Sequence, residues 1–205
     1  MSDILCVTNR SLCQEDFFAR IEKIAAAKPL GIILREKDLT EPEYQALAER
    51  VLTICAASQT LCILHSHIPT AIRLKADALH LPLPLLRQMT DAQKKRFQIL
   101  GASCHSIEEA AEAQALGCSY LTAGHIFETD CKKGLAGRGI PFLKSICQSV
   151  SIPVYAIGGI QKDNAKSVRN AGASGICIMS SAMQRGHIPT LINSLSKMPI
   201  TNKGR

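Results

Sequence analysis

A histidine stands directly after an apolar run in the second half of the chain. His125 follows the segment YLTAG at 120–124, and the proton affinity of an imidazole lies close to neutral pH. A histidine at the end of a strand can serve as a general acid or base, although it can also bond a neighbouring carbonyl group without any chemical role. We predict that His125 is catalytic.

The segment after His125 is polar and rich in glycine. Its charged residues are Glu128, Asp130, Lys132, Lys133 and Arg138. Such a segment is either a solvated loop whose charges screen one another or a clamp on an anionic ligand. We predict that Thr129 and Lys132 bind a phosphate group, through a hydroxyl and an ammonium.

Two later segments are typical of anion-binding loops. Gly158 and Gly159 end the run AIGGI, where the absence of side chains lets backbone amides approach an oxyanion. Ser180 and Ser181 follow a later apolar run and open a predicted helix. The glycine pair can also be no more than a tight turn. Their order along the chain favours a phosphate site.

Two cations follow the second apolar run. In the segment LREKD, strand alternation puts Arg35 and Lys37 on one side and Glu36 on the other. The pair either binds an anionic substrate or belongs to a network of ion pairs at the rim. We predict that Arg35 and Lys37 bind substrate.

Histidines also follow the third apolar run. Alternation predicts that His65 and His67 lie on one side, a spacing that can hold a divalent metal. A metal site needs further ligands, and the next run, ALHLPLPLL, has no carboxylate. We therefore predict neither a metal nor a cofactor.

These residues require elements that bring them to one place. Short apolar runs predict eight strands at 4–8, 30–34, 60–64, 78–81, 98–102, 120–123, 153–157 and 175–179. Helical patterns lie between them, among them 13–28, 41–57 and 106–116, the last with the capping-box spacing of Ser106 and Glu109. This alternation predicts a single (β/α)8 TIM barrel over 1–205, with a short basic tail at about 197–205. An open doubly wound sheet is the alternative.

In a barrel the candidate site residues lie at the carboxyl ends of strands, where barrels have their active sites.

The bulk composition narrows the class of ligand. The chain has 205 residues and a net charge of +7, without a run long enough to span a membrane or a secretory signal pattern. Its nine cysteines lack paired spacing and are expected to be reduced thiols, so we expect a cytoplasmic protein. The basic residues are scattered and aromatic residues make up only 4%. We therefore expect small phosphorylated ligands, and neither nucleic acid nor membrane as a partner.

Five segments carry a resemblance to a known family. In chain order they are LREK, CHSIEEA, GHIFETDCKKGLAGRG, PVYAIGGI and AGASGICIMS. With them the chain resembles the thiamine phosphate synthase/TenI superfamily, and the third segment is closest to its TenI branch, the thiazole tautomerases. The resemblance implies a barrel, a homo-oligomer and a phosphorylated thiazole ligand. It also implies that His125 moves a proton during tautomerisation, and that Gly158, Gly159, Ser180 and Ser181 form the phosphate loops.

The chain departs from the synthase branch of that superfamily. Synthases have Asn-Asp after the third strand and Asp after the fourth, which hold Mg2+ and pyrophosphate; here His65 and Ser66 follow the third. A glutamine of the synthases is Ile33 here, and their threonine-rich PTxTK loop reads ETDCK. We therefore predict an isomerase, a thiazole tautomerase. The alternatives are a thiamine phosphate synthase, which alone would use Mg2+, and a non-catalytic regulator that binds a thiazole phosphate.

Overall fold

Eight parallel strands form the centre of the molecule. The structure is a computed structural model that describes residues 2–132, 134–184 and 186–196, so the predicted tail at about 197–205 lies outside the described residues. The strands are β1 (Ile4–Val7), β2 (Gly31–Leu34), β3 (Cys62–His65), β4 (Ala78–Pro82), β5 (Ile99–Cys104), β6 (Tyr120–Gly124), β7 (Val154–Ile157) and β8 (Gly175–Ile178).

The sheet closes on itself. Each strand pairs in parallel with the next, and β1 also pairs with β8, where Ile4 lies opposite Ile176. The closed order confirms the predicted (β/α)8 barrel and excludes the open doubly wound sheet, whose outer strands would each have one neighbour.

Helices cover the outside of the barrel. They are α1 (Phe17–Ala26), α2 (Glu41–Ala57), α3 (Ile68–Arg73), α4 (Leu83–Gln88), α5 (Asp91–Lys94), α6 (Ile107–Ala115), α7 (Gly139–Ser149), α8 (Lys162–Asn170), α9 (Ser180–Met183) and α10 (Ile188–Leu195). No helix in these ranges is long and apolar enough to cross a membrane.

Capping residues set where the helices begin. The first predicted helix starts at Phe17 and not at 13, because the carboxylate of Asp16 accepts a hydrogen bond from the amide of Ala19. Ser106 caps α6 as predicted, accepting from the amide of Glu109. The Glu109 carboxylate reaches back to the amide of residue 105, one position before the cap, so the box is not reciprocal.

The barrel separates two apolar cores. One lies between the strands and the helices; the other fills the barrel interior and consists of Leu5, Val7, Ile33, Ile63, Ala78, Tyr120 and Cys177. Side chains at alternate strand positions share a face, so residues two beyond Ile33 and Ile63 continue the inward side at the carboxyl ends.

Candidate functional site

A buried polar group lies above the inner core. Nδ1 of His80 is 2.9 Å from the hydroxyl of Tyr120, and Nε2 is 2.9 Å from Oγ of Ser103. The hydroxyl of Thr122 lies 3.3 Å from the same Nε2. Burial lowers the pKa of His80 to about 3, because a charged ring would lose its hydration. His80 is therefore a neutral ring with both nitrogens hydrogen-bonded.

His65 lies beside this group. It is 6% exposed, its ring centre is 5.8 Å from that of His80, and its Nδ1 is 2.7 Å from Oγ of Ser66. Burial holds the pKa of His65 well below its ordinary value, and the neighbouring charges of Arg35 and Lys37 act in the same direction. His65 is therefore neutral near pH 7.

His67 lies outside the barrel, which corrects the prediction that His65 and His67 share a side. The backbone at Ser66 has a φ of 66°, so the strand alternation stops there. The ring of His67 stacks on Tyr44 at 3.8 Å and its Nδ1 lies 2.6 Å from Oε2 of Glu41. The two imidazoles cannot hold one metal ion.

Arg35 and Lys37 follow β2 on the side opposite Glu36. Glu36 is buried and accepts a hydrogen bond from the hydroxyl of Thr8 at 2.6 Å. Lys37 has a pKa below the ordinary lysine value, first because of burial and then because of the positive charges of Arg35 and Lys132. Three cations, from the segments after β2 and β6, therefore lie close enough to repel one another.

Three acidic residues that follow β2 are engaged elsewhere. Glu36 also accepts from the amide of Arg10, and Asp38 pairs with the Arg10 guanidinium at 2.6 Å. Glu41 accepts from the hydroxyl of Thr70 at 2.6 Å. Across the described ranges, the three side-chain cations form no ion pair or hydrogen bond.

The loop after β6 begins at His125 and closes at its base. The amide of Arg138 donates to the carbonyl of His125, and the amide of Gly139 donates to that of Ile126. His125 is half-buried, and its Nε2 donates to the carbonyl of Leu135 within the same loop at 3.2 Å. In this structure the imidazole holds the loop together.

Arg138 also has an anchoring role. Its Nη1 donates to the carbonyl of His105 at 2.7 Å, and its guanidinium carbon lies 5.1 Å from the ring centre of Phe142. Arg138 therefore stands apart from the three cations. Lys133, the other basic residue of the loop, lies outside the described residues.

The tip of the loop reaches the end of β8. Sγ of Cys131 lies 3.2 Å from Oγ of Ser180. The amide of Lys132 donates to the carbonyl of Thr129 at 2.9 Å in a short 3-10 turn. Thr129 and Lys132 are thereby placed on the same side of the barrel as Ser180.

The two glycines after β7 pack against this loop. Gly158 and Gly159 have φ of 101° and 64°, which few other residues adopt. A Cβ on Gly158 would lie 2.3 Å from Cβ of His125, and one on Gly159 would lie 2.3 Å from the carbonyl oxygen of Glu128. The amides of both glycines donate no hydrogen bond to other described residues, so they remain available to a ligand.

Ser180 and Ser181 open α9, the short helix after β8. Their amides belong to the first turn of a helix, which has no acceptor within the helix. Within the described ranges these amides have no other partner. The structure thus brings the predicted residues of β6, β7 and β8 to the carboxyl end of the barrel.

A known family of sequences matches almost all of the barrel. The sequence model described as thiamine monophosphate synthase matches residues 4–182, which include every strand. The chain belongs to the thiamine monophosphate synthase family.

Similar proteins align with most of this chain. The "Thiamine-phosphate synthase 2" of Streptococcus pneumoniae is 34% identical over 87% of this chain and 86% of its own length. A thiamine-phosphate synthase of Fusobacterium nucleatum is 31% identical over 95% of both chains. The solved structure of a thiamine phosphate pyrophosphorylase from Pyrococcus furiosus has a TM-score of 0.79 at 27% identity, covering 94% of this chain and 93% of its own.

These comparisons contradict the prediction of an isomerase. The relatives are named synthases, which are transferases, and none of those reported above is named a thiazole tautomerase. The transferase alternative is the better supported one.

The magnesium that the resemblance implies for synthases does not fit the residues of this family member. Mg2+ requires oxygen ligands, above all carboxylates. β3 ends at His65 and is followed by Ser66, and β4 is followed by residues 83–86 without an acidic residue. Over the part of the chain that the structure describes, no group of three or more His, Cys, Asp or Glu side chains could hold a metal.

The sequence analysis did not predict the buried polar group above the inner core. His80, Ser103 and Thr122 lie inward at the ends of β4, β5 and β6. The available signal was alternation: counting back by twos from Ser103 and Thr122 reaches positions on the inward face, such as Tyr120.

Proposed function

We propose that this chain is a thiamine-phosphate synthase, a transferase that couples hydroxymethylpyrimidine diphosphate to thiazole phosphate and releases pyrophosphate. The observation that supports this proposal is the cluster of Arg35, Lys37 and Lys132, which form no ion pair with an acidic side chain among the described residues. An unbalanced cation cluster at the active end of a barrel suits an anionic ligand. The names of the relatives support the same reaction.

The proposed reaction builds up negative charge on the departing pyrophosphate. Arg35, Lys37 and Lys132 would stabilise that charge, and they are in place before the reaction, so little reorganisation is needed. The phosphate of the thiazole would accept hydrogen bonds from the free amides of Gly158 and Gly159. It would also accept from the amides of Ser180 and Ser181 at the start of α9. Thr129 would add a hydroxyl donor.

A coupling assay tests this proposal. Hydroxymethylpyrimidine diphosphate and thiazole phosphate are supplied with and without Mg2+, and thiamine phosphate is measured by chromatography. We expect formation of thiamine phosphate, and a loss of about 10²-fold in kcat/KM for Arg35→Ala or Lys37→Ala, the size typical for removal of one transition-state donor.

The matched control is Lys144→Ala. Lys144 is an exposed lysine of α7 on the outside of the barrel, and its replacement should leave the rate unchanged. Absence of product from the parent protein under all conditions would refute the proposal. Equal losses in the Lys37 and Lys144 variants would refute the role of the cation cluster.

Two finer expectations belong with this proposal. We propose that the protein is a homo-oligomer and acts in the cytoplasm on small phosphorylated molecules. The oligomeric state is measured from the mass in solution, compared with the 22.2 kDa of one chain.

A further inference from the structure

The imidazole of His65 has one nitrogen without a partner. The residue is 6% exposed, and Nδ1 of its ring lies 2.7 Å from Oγ of Ser66. Nε2 forms no hydrogen bond with any residue in the described ranges. In His80, by contrast, both nitrogens are hydrogen-bonded. The nitrogen is therefore free to bond a ligand or water.

This nitrogen is open to the mouth of the barrel. Among the described residues, the fully enclosed side-chain polar atoms without partners are Oδ1 of Asp3 and Nη2 of Arg20. Nε2 of His65 is therefore not sealed off. Because Ile63 lies in the inner core and His65 is two residues further along β3, the ring faces the inside of the barrel.

Arg35 reaches the same place from the neighbouring strand. Ile33 of β2 pairs with Ile63 of β3, so the next inward positions of the two strands are Arg35 and His65. Burial is the main cause of the lowered pKa values of His65 and Lys37, and the charge of Arg35 contributes to both. A neutral imidazole and two cations thus face one space.

The donors in this space match an anion better than a metal. When the hydroxyl of Ser66 donates to Nδ1, the Nε2 of His65 carries the proton and points it into the mouth. Two cations and an N–H group repel Mg2+ and attract phosphate oxygens. The carboxylates that would hold a metal are absent from the segments after β3 and β4.

We propose that the pyrophosphate subsite of this chain works without a divalent metal, with Arg35 and Lys37 balancing the charge and Nε2–H of His65 donating a hydrogen bond to a phosphate oxygen. This inference rests on the proposed function for the identity of the anion. It replaces the metal by groups that belong to the chain itself.

Binding of inorganic pyrophosphate tests the inference without any turnover. The full chain is titrated by calorimetry in buffer freed of divalent ions with a chelating resin, and again with 1 mM-scale Mg2+ added. We expect binding in the metal-free buffer, and no gain in affinity when Mg2+ is added. His65→Phe should weaken binding about tenfold, the effect of losing one hydrogen bond to a charged group. His65→Gln, which keeps a donor, should lose about threefold or less.

His67→Phe is the matched control. His67 lies on the outside of the barrel, and its replacement should leave the affinity of the folded protein unchanged. Near-UV circular dichroism verifies that each variant is folded. Pyrophosphate binding that requires Mg2+, or that is undetectable in both buffers, would overturn the metal-free subsite. Unchanged affinity in His65→Phe would overturn the role of His65.

These outcomes are distinct from failure of the proposed function. Metal-free binding with the expected effect of His65→Phe, but no thiamine phosphate in the coupling assay, would refute the synthase and leave the anion subsite standing. Product formation together with pyrophosphate binding that requires Mg2+ would support the synthase and overturn the metal-free subsite.

Discussion

At the scale of single residues, Lys37 shows how its neighbours tune an anion site. Burial and the charges of Arg35 and Lys132 disfavour its protonated form, so its pKa lies below that of an ordinary lysine. Its charge is present below that pKa and is lost as the pH rises through it. The protein therefore maintains a cation that is more easily deprotonated than usual, and a bound anion would reverse the shift.

The lowered pKa of Lys37 predicts that pyrophosphate affinity falls at alkaline pH, and that the pH of this fall shifts when Lys132 is replaced. Pyrophosphate affinity of the parent protein should fall with rising pH earlier than expected for an unperturbed lysine, whose pKa is about 10.4. Lys132→Ala removes one repelling charge, so the pKa of Lys37 rises and the fall should move to higher pH, although affinity at neutral pH decreases. Titrations between pH 7 and pH 10.5 measure the midpoint.

Lys144→Ala serves again as the unrelated lysine and should keep the parent profile. A midpoint in Lys132→Ala that coincides with the parent midpoint would show that the two lysines do not interact.

Single residues were also where sequence reasoning was least complete. Alternation separates Arg35 and Lys37 from Glu36, and in the structure Glu36 bonds Thr8 while the charge of Arg35 acts on Lys37. The same rule fails for His67, because the backbone turns at Ser66 into a left-handed conformation that no local pattern signals. The partners of His80 come from two other strands, so they depend on the barrel register.

At the scale of elements, the loop after β6 and the turn after β7 form one unit. Amides of Ile126 and Phe127 donate to the carbonyls of Ile157 and Gly158, at 2.9 and 3.0 Å. The close approach requires glycine, because a Cβ at Gly158 would meet His125. The position of the loop, and hence of Lys132, therefore depends on the turn.

Gly158→Ala should separate these two segments. The expected result is destabilisation by about 1–3 kcal/mol and a loss of pyrophosphate affinity, because strain and overlap both act at this position. Gly117→Ala is the control, since Gly117 has a similar φ of 93° with nothing within 4 Å of the added Cβ. Urea denaturation and calorimetry measure the two effects.

The control separates backbone strain from the clash. Gly117→Ala should show strain alone, a smaller loss of stability, and unchanged affinity. If Gly158→Ala bound pyrophosphate as the parent does, the turn would not position the loop.

Element types were more predictable than their ends. The helix predicted at 41–57 has those bounds in the structure. At its start, the Glu43 carboxylate accepts hydrogen bonds from the amide and the hydroxyl of Thr40. The strand predicted at 60–64 begins instead at Cys62 and continues to His65. Thr60 is drawn out of the strand because its hydroxyl donates to the carbonyl of Ala25, a contact that requires the folded barrel.

At the scale of the whole molecule, polar contacts join the first and last parts of the chain, in addition to the pairing of β1 with β8. Arg20 of α1 is 1% exposed and its Nε donates to the carbonyl of Ala182 at 2.7 Å. Its Nη1 donates to the carbonyl of Gly186 and to Glu15. Arg169 pairs with Asp3 at 3.0 Å. Apart from the contact with Glu15, these contacts join residues more than a hundred positions apart in sequence.

Arg20→Met should therefore weaken the whole barrel. The variant leaves the carbonyls of Ala182 and Gly186 without their donor, and we expect a decrease of about 2–4 kcal/mol in the free energy of unfolding. Arg96→Met, which changes an exposed arginine, should cost less than about 0.5 kcal/mol. Urea denaturation followed by circular dichroism measures both, and equal midpoints for the two variants would contradict the role of Arg20.

The pairing of Ile4 with Ile176 has a consequence for synthesis of the protein. The first strand acquires its second neighbour only after the eighth has left the ribosome, roughly 10 to 30 s later at typical elongation rates. During that interval the nascent chain has an open sheet edge, the kind of surface that promotes aggregation. Protection by chaperones during translation is thus most needed for the earliest part of this chain.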